Sequence, residues 1–204
     1  MQEVFIPIHG ARNTGKTSLF CRMNGIPFRS VYIPTKMLKT SEIKWENAKI
    51  KLWDVVDKAL PSEKGITNIE LPDASNVDTI AQADGVIIMY NQWNKESIEY
   101  AASIIDKTPS STPILVIHNM QDRIDIVYEI PEELKQRERK FDHIFASMRS
   151  NKGLVEISKW LSIPIKFNTK KTYANLLSRF ESDKKEVEFI MKQLVKLHYS
   201  KFVC

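Results

Sequence analysis

Short apolar runs alternate along the chain with longer stretches in which apolar residues recur every three to four positions. The runs at residues 84–90 and 113–117 are continuous, as expected for buried parallel strands, which are covered on both faces. The stretch between them, residues 96–107, has the period of a helix. This alternation predicts an α/β fold with a mostly parallel sheet flanked by helices.

The same reading predicts six strands in all. Pro7 is unusual in the first strand, because a proline cannot donate to a sheet ladder and suits an edge or a bulge better than a central strand. Besides the two continuous runs, the predicted strands are the first strand at 4–8, the two strands of a hairpin at 39–53 that turns at Glu46-Asn47, and a last strand at 143–146. A helix is predicted at 15–24.

The C-terminal part predicts helices. Residues 152–161 form an amphipathic helix that Pro164 is expected to end. Apolar residues then recur at helical spacing from 169 to 202, which predicts one further amphipathic helix or a helix pair. We therefore expect a folded domain at residues 1–165 and a basic helical extension at 166–204. Residues 59–77 lack periodicity and predict a long loop, a feature that is usually functional or disordered.

Composition narrows the class of protein. The 204 residues are 43% apolar, enough for one core, and the two cysteines, Cys21 and Cys204, are too few for a disulfide framework or a zinc cluster. This usage predicts a reducing compartment, so we expect a cytoplasmic protein, with the nucleus as the alternative. No apolar run is long enough for a signal peptide or a membrane span.

The net charge of +5 lies in the C-terminal segment, where nine Lys and Arg residues stand against four Asp and Glu residues from Lys166 onward. Three interpretations stay open for this segment: an acidic partner, an anionic membrane surface or a solvated helix face. No recognition signature accompanies the charge, so nucleic-acid binding is not expected.

Residues 10–17, read as GARNTGKT, match the phosphate-binding pattern GxxxxGK[ST] between a predicted strand and a predicted helix. Gly10 and Gly15 allow the backbone to wrap closely round a phosphate, and Lys16 supplies a positive charge. The Thr17 hydroxyl is a candidate ligand for Mg²⁺. The candidate nucleotide-binding residues of this loop are Gly10, Arg12, Asn13, Thr14, Gly15, Lys16, Thr17 and Ser18.

Two acidic positions complete the expected site. Asp54 ends the predicted strand Leu52-Trp53-Asp54, where a carboxylate acts on Mg²⁺ through its water shell. Asn119 and Asp122 form an NxxD arrangement after the apolar strand 113–117. A carboxylate at that point can accept both N–H donors of guanine, whereas adenine offers no such edge. The alternatives are a carboxylate that caps a strand and a loop that caps itself.

The chain resembles the Ras-like small GTPases, and more narrowly the Rab-like protein 6 group. The resemblance covers about residues 2–165, and the string Trp-Asp-Val-Val-Asp-Lys at 53–58 is its most specific part. The other strings that carry it are Arg-Asn-Thr-Gly-Lys-Thr at 12–17, Tyr-Ile-Pro-Thr at 32–35 and Ala-Ser-Met at 146–148.

The resemblance implies a P-loop fold that binds GTP or GDP with Mg²⁺. It makes Thr35 a switch residue that coordinates Mg²⁺ beside Thr17 and Asp54, and it makes Lys16 and Thr35 the candidate catalytic residues. It also assigns five further positions to the guanine base and its surroundings: Phe28, Asn119 and Asp122, with Ser147 and Met148 in the third base-contacting loop.

Departures from the family pattern put hydrolysis in doubt. Asp57 stands where the family has a glycine, and Lys58 replaces the glutamine that orients the attacking water. Met120 and Met148 replace two lysines of the base-binding loops, although each methionine stem could still pack on the purine. We therefore expect weaker guanine binding and slow hydrolysis.

Three functions follow as hypotheses. The first is an atypical GTP-binding switch that acts through a protein effector or regulator of unknown identity. The second is a pseudo-GTPase scaffold with little or no turnover, and the third is a P-loop kinase or ATPase. Cys204 fits none of the common prenylation endings, so membrane anchoring is not expected.

Overall fold

The computed structural model describes residues 1–31, 35, 38–55, 79–119, 122 and 128–200, with side chains up to residue 195. Six strands form one sheet in the order β2-β3-β1-β4-β5-β6, and the β2–β3 pair is antiparallel while the other pairs are parallel. The α/β fold with a six-stranded, mostly parallel sheet is therefore confirmed. The strands are β1 (Gln2–His9), β2 (Lys39–Trp45), β3 (Ala48–Asp54), β4 (Val86–Tyr90), β5 (Ile114–His118) and β6 (Asp142–Phe145).

Five helices accompany this sheet in the described ranges. They are α1 (Lys16–Met23), α2 (Lys95–Lys107), α3 (Glu132–Lys135), α4 (Leu154–Trp160) and α5 (Ser162–Ser200). The four-residue helix α3 was not expected from the sequence, because one helical turn is too short to show a period. None of the described helices is long and apolar enough to cross a lipid bilayer.

Pro7 lies in a central strand, contrary to the preference for an edge. Ile8 faces β3, because its carbonyl accepts from the Val55 amide at 3.2 Å, so Pro7 must face β4. The β1–β4 ladder begins only at Ile8 and Ile87, one residue beyond the proline. The missing N–H therefore falls just before the start of that ladder, and no ladder bond is lost.

The sheet separates two apolar layers because successive residues of each buried strand point to opposite faces. Ile87 and Met89 of β4 join the layer under α1 and α4, whereas Val86, Ile88 and Tyr90 join the layer under α2 and α3. Every residue of β4 and β5 is buried, as the continuous apolar runs predict. Two-sided burial leaves the strand ends as the places where polar side chains can gather.

The helix expected at residues 152–161 ends before Pro164, as the sequence predicts. Helix α4 ends at Trp160, and Pro164 lies in the first turn of α5, where a missing N–H costs no intrahelical bond. The ring packs over Gly85, where an added Cβ would lie 2.5 Å from Pro164 Cγ. Helix α5 therefore starts earlier than predicted and runs for 39 residues.

The chain divides into two compact units, Met1–Phe167 and Asn168–Cys204. The first unit contains the sheet, and the described part of the second is the distal portion of α5. The functional assignment of the segments 1–165 and 166–204 stays a prediction. The predicted loop at 59–77 lies outside the described residues, as does Cys204.

Candidate functional site

The candidate site residues meet at the carboxyl ends of the parallel strands, where open α/β sheets bind their ligands. The GxxxxGK[ST] loop follows β1, and Asp54 is the last residue of β3. Asn119 follows β5 directly, and Ser147 lies two residues after β6. Four separate strands thus deliver their polar residues to one edge of the sheet.

Two glycines of the phosphate loop are required by its close packing. Gly10 has φ 150°, and an added Cβ would lie 2.4 Å from the Met89 carbonyl oxygen. Gly15 has φ 96°, and an added Cβ would lie 2.1 Å from Asn119 Nδ2. Neither position has room for a side chain, so the loop lies directly against β4 and the Asn119 amide.

Hydrogen bonds among its own residues hold the phosphate loop. Lys16 Nζ donates to the carbonyl oxygens of Gly10 at 2.5 Å and Ala11 at 2.9 Å. The buried Thr14 hydroxyl also donates to the Ala11 carbonyl, at 2.8 Å. Arg12 and Asn13 are exposed at the rim, and Asn13 adopts φ 60°. The Lys16 ammonium is thus held across the mouth of the loop, and Ser18 continues into α1.

Three oxygens from distant positions converge beside the loop. Thr17 Oγ1 donates to Asp54 Oδ2 at 2.6 Å and lies 2.7 Å from Thr35 Oγ1. Since the one hydroxyl proton of Thr17 is directed to Asp54, Thr35 is the donor in the second contact. The sequence named these three side chains as metal ligands, and the structure brings them together.

The residues fit a magnesium ion by the chemistry of their atoms. Asp54 is 1% exposed, and within the described part of the chain its Oδ1 has no hydrogen-bond partner. Burial raises the pKa of this carboxyl, an effect opposed by the hydrogen bond from Thr17 and by the charges of Lys16 and Lys39. A buried carboxylate oxygen without a donor, next to two hydroxyls, is a donor set that Mg²⁺ prefers.

Asn119 connects the phosphate loop to the loop after β6. Its Nδ2 donates to the Thr14 carbonyl at 2.8 Å, and its Oδ1 accepts from the Met148 amide at 3.2 Å. Its own amide donates to the Tyr90 carbonyl at 3.1 Å. The side chain is 3% exposed, so these bonds are shielded from water. The sequence identified Asn119 for base recognition only and not for this bridge.

Asp122 is oriented by the loop after β6. Ser147 Oγ donates to Asp122 Oδ1 and accepts from the Ser150 amide at 3.2 Å. The same loop is fixed to the sheet through the Ala146 amide, which donates to the His118 carbonyl at 2.8 Å. Asp122 and Ser147, both predicted from the sequence to lie at the base, are therefore joined by a direct hydrogen bond.

Arg22 is a site residue that the sequence did not reveal. Its Nε donates to the Met148 carbonyl at 2.9 Å, its Nη2 donates to the Arg149 carbonyl at 3.1 Å, and its Cζ lies 5.9 Å from the centre of the Phe28 ring. A basic residue in the last turn of a helix is common because it suits the helix dipole, so the sequence carried no distinctive signal.

The structure corrects one detail at Met148. Its side chain is 1% exposed and belongs to the apolar layer under α1, so its stem is not presented at the surface of the site. Only its backbone joins the hydrogen bonds described above. The residues Asp57, Lys58, Met120 and the string at 32–34 lie outside the described residues, so the predictions made for them stay predictions.

Buried histidines lie directly under the site. Burial lowers the pKa of His9 to about 4, with a smaller contribution from Lys16, and its Nε2 lies 3.1 Å from Thr79 Oγ1. Burial also lowers the pKa of His118 to about 4, and His143 adds to that effect. Each of these two rings precedes a site residue, Gly10 or Asn119, and is neutral at pH 7.

No family model matches the chain. It is 26% identical to Rab-like protein 6 of Homo sapiens over 215 residues, which covers 93% of this chain and 29% of the relative. The Mus musculus protein gives the same figures, and the Bos taurus protein gives 26% identity with 30% of its length covered. The chain thus spans about three tenths of these relatives. It is distantly related to the Rab-like proteins, and its six-stranded α/β sheet agrees with a small-GTPase fold.

Proposed function

We propose that this chain binds GTP and GDP together with Mg²⁺ and acts as a molecular switch through a protein effector or regulator. The observation that carries the proposal is the convergence of Thr35 and Asp54 on the Thr17 hydroxyl, at 2.7 Å and 2.6 Å, beside a glycine-bounded phosphate loop. Thr35 is separated from the loop along the chain, so its contact there supports a segment whose position depends on what the loop holds.

The loop residues perform the phosphate binding. Loop amides and the N-terminus of α1 face the anion, and Lys16 already lies across the loop through its bonds to Gly10 and Ala11. Magnesium, when bound, neutralises phosphate charge. The hydroxyls of Thr17 and Thr35 and the carboxylate of Asp54 would hold the ion beside the phosphates. Thr35 senses the γ-phosphate, because it can reach the ion only when its segment lies over the site.

Guanine recognition rests on Asp122. Ser147 fixes one carboxylate oxygen of Asp122, and Asn119 fixes the loop that carries Ser147. A carboxylate held in this way can accept two parallel N–H bonds from a guanine edge, an arrangement that adenine cannot complete. Phe28 lies partly buried beside Arg22, where an aromatic ring can pack along the base.

Slow hydrolysis is part of the proposal and rests on the sequence. Asp57 stands where related enzymes have the glycine whose amide meets the γ-phosphate, and Lys58 replaces the glutamine that orients the attacking water. A carboxylate near the γ-phosphate also repels the anionic reaction centre. The same two residues support the second candidate, a pseudo-GTPase scaffold in which binding surfaces act without turnover.

Nucleotide titrations test the binding proposal. We expect the purified chain to bind GDP and GTP more tightly with Mg²⁺ than with EDTA, and to bind ATP far more weakly. The Thr17→Val variant, which removes one charge-assisted contact, should lose at least about tenfold in Mg²⁺-dependent affinity. Thr172→Val, on the exposed surface of α5, is the matched control and should bind normally. Equal affinity for ATP and GTP would refute guanine recognition.

A change of base preference gives the sharper test. Asp122→Asn exchanges an acceptor for a donor, so the variant should prefer xanthine nucleotides over guanine nucleotides. A variant that still binds GDP as the parent chain does would show that Asp122 does not contact the base.

Single-turnover cleavage of GTP separates the switch from the scaffold. We expect slow cleavage of GTP by the parent chain. The double variant Asp57→Gly with Lys58→Gln should cleave GTP faster, because it restores the glycine and the glutamine of related enzymes. Tight GTP binding with no cleavage in either protein would favour the scaffold. Rapid cleavage by the parent chain would contradict the proposed roles of Asp57 and Lys58.

A further inference from the structure

Helix α5 carries a continuous apolar stripe on its distal part, in the second compact unit. The side chains of this stripe are 46–68% exposed, which is unusual for residues of their size. We name this surface the α5 stripe. It consists of Tyr173, Leu176, Leu177, Phe180, Val187, Ile190, Met191 and Leu194.

The spacing of the stripe follows a seven-residue repeat. Tyr173, Phe180, Val187 and Leu194 are separated by seven residues each and occupy position a of four successive heptads. The stripe is about 32 Å long at the rise of an α-helix. A repeat of seven keeps the apolar seam facing a second helix along its whole length, whereas a surface packed on a globular domain follows the 3.6-residue period.

One pair of charges interrupts the stripe at its centre. In the first and third heptads, positions d and e are apolar: Leu176 and Leu177, then Ile190 and Met191. In the second heptad, the same two positions are Asp183 and Lys184. Both charged residues are exposed. A partner that covers the stripe must therefore place a basic group opposite Asp183 and an acidic group opposite Lys184.

A second copy of the same helix supplies this complement. In a parallel pair in register, position d of each helix faces position e of the other, so Asp183 faces the partner's Lys184 on both sides of the seam, and the position-a residues Phe180 and Val187 each meet their own copy. The remaining apolar residues of the stripe also pair with one another. The central layer then contains two carboxylates and two ammonium groups, and its net charge is zero.

An anionic lipid surface is a poorer occupant. Asp183 would enter the bilayer interface at the centre of the apolar face, where it would meet negative headgroups and lose hydration. We propose that the α5 stripe is a self-association surface, and that two copies of this chain form a parallel α5 pair registered by Asp183 and Lys184.

Charge exchange in the full chain tests the pairing. Sedimentation-equilibrium runs over a concentration series should show a dimer for the parent chain. Asp183→Lys places four ammonium groups in the central layer, and Lys184→Asp places four carboxylates there, so each variant alone should be shifted to monomer by at least tenfold in dissociation constant. An equimolar mixture of the two variants should restore dimers, because the like-charged layers then complement each other.

The control is Lys185→Asp, which makes the same charge change outside the stripe and should leave the dimer intact. Ile190→Lys should abolish association without altering the helix content measured by circular dichroism. A parent chain that is monomeric at every concentration overturns the proposal, and so do single exchanges without effect or a mixture that stays monomeric. Monomers that sediment with phosphatidylserine vesicles would also overturn it, since the stripe would then serve a membrane.

Discussion

Asn119→Ala tests whether one buried amide holds the phosphate loop and the loop after β6 together. The substitution removes the bond from Nδ2 to the Thr14 carbonyl and the bond from the Met148 amide to Oδ1. Both backbone groups would be left buried, because Thr14 and Met148 are each 1% exposed. The alanine also leaves a space that water can fill only in part.

The magnitude follows from these two bonds. Leaving a buried polar group without a partner costs about 1–3 kcal/mol, and partial rescue by water places the total at about 2–4 kcal/mol of the free energy of unfolding. Because urea unfolding of a domain of this size has a slope of about 2 kcal/mol per molar, the midpoint should fall by about 1–2 M.

Urea titration followed by tryptophan fluorescence measures this change without added nucleotide. Asn175→Ala is the matched control, since Asn175 is exposed on α5 and its substitution should stay within about 0.5 kcal/mol. A loss below about 1 kcal/mol for Asn119→Ala would refute the bridging role, and a changed slope would indicate that the denatured or native state had altered instead.

Three further outcomes are expected. Gly15→Ala adds a Cβ that would lie 2.1 Å from Asn119 Nδ2 at φ 96°, so it should displace the loop and strongly lower nucleotide affinity in a titration. Gly25→Ala is the control for backbone strain alone, because its added Cβ meets no atom within 4 Å. The pKa of His118 is lowered to about 4 from 6.5, so the unfolded chain takes up the proton first and the free energy of unfolding falls as the pH drops from about 6.5 to about 4. His118→Phe should reduce this loss of stability between pH 7 and pH 4.5, as measured by urea titration at each pH. An equal loss in the variant and the parent chain would contradict this assignment. Asp84→Ala removes the carboxylate that accepts the Phe5 amide at 3.0 Å and should cost about 1–3 kcal/mol by the same assay, a value near zero being the contrary result.

The parts of the fold that the sequence predicts are those with a strong local period. Strands β4 and β5 are buried on both faces and read as unbroken apolar runs, and the turn at Glu46-Asn47 lies where the alternation of two strands reverses. Bounds differ by one to two residues at most strand ends, because the last residues of a strand are set by ladder partners that no local pattern encodes.

Two prolines show where local preference does not decide the structure. Pro7 and Pro164 were weighed by their local preferences, but the cost of a missing N–H depends on whether an acceptor stands opposite it. At Pro7 the β1–β4 ladder begins one residue later, and at Pro164 the helix has only begun. Tertiary register decides both cases, and a single sequence does not contain it.

The candidate site was predictable in composition but not in connection. Motif spacing identified Thr17, Asp54 and Asn119, because each follows a strand that ends at the same edge of the sheet. Arg22 was not predicted from the sequence, because its partners are the backbone carbonyls of Met148 and Arg149, more than a hundred residues away. Backbone acceptors leave no trace in side-chain patterns.

The bridge through Asn119 also bears on how stability and nucleotide binding are coupled. The Asn119 side-chain amide donates one of its two N–H bonds to the Thr14 carbonyl, and its oxygen uses one of its two acceptor positions for the Met148 amide, so one donor and one acceptor position stay available for a base. Asp122 makes no such bridge to the phosphate loop in the described part of the chain. Loss of Asn119 should therefore lower both the free energy of unfolding and the affinity for GDP, whereas Asp122→Asn should change base preference while the urea midpoint moves by less than about 0.5 M. Parallel losses of stability in both variants would show that the two loops are not held together by Asn119 alone.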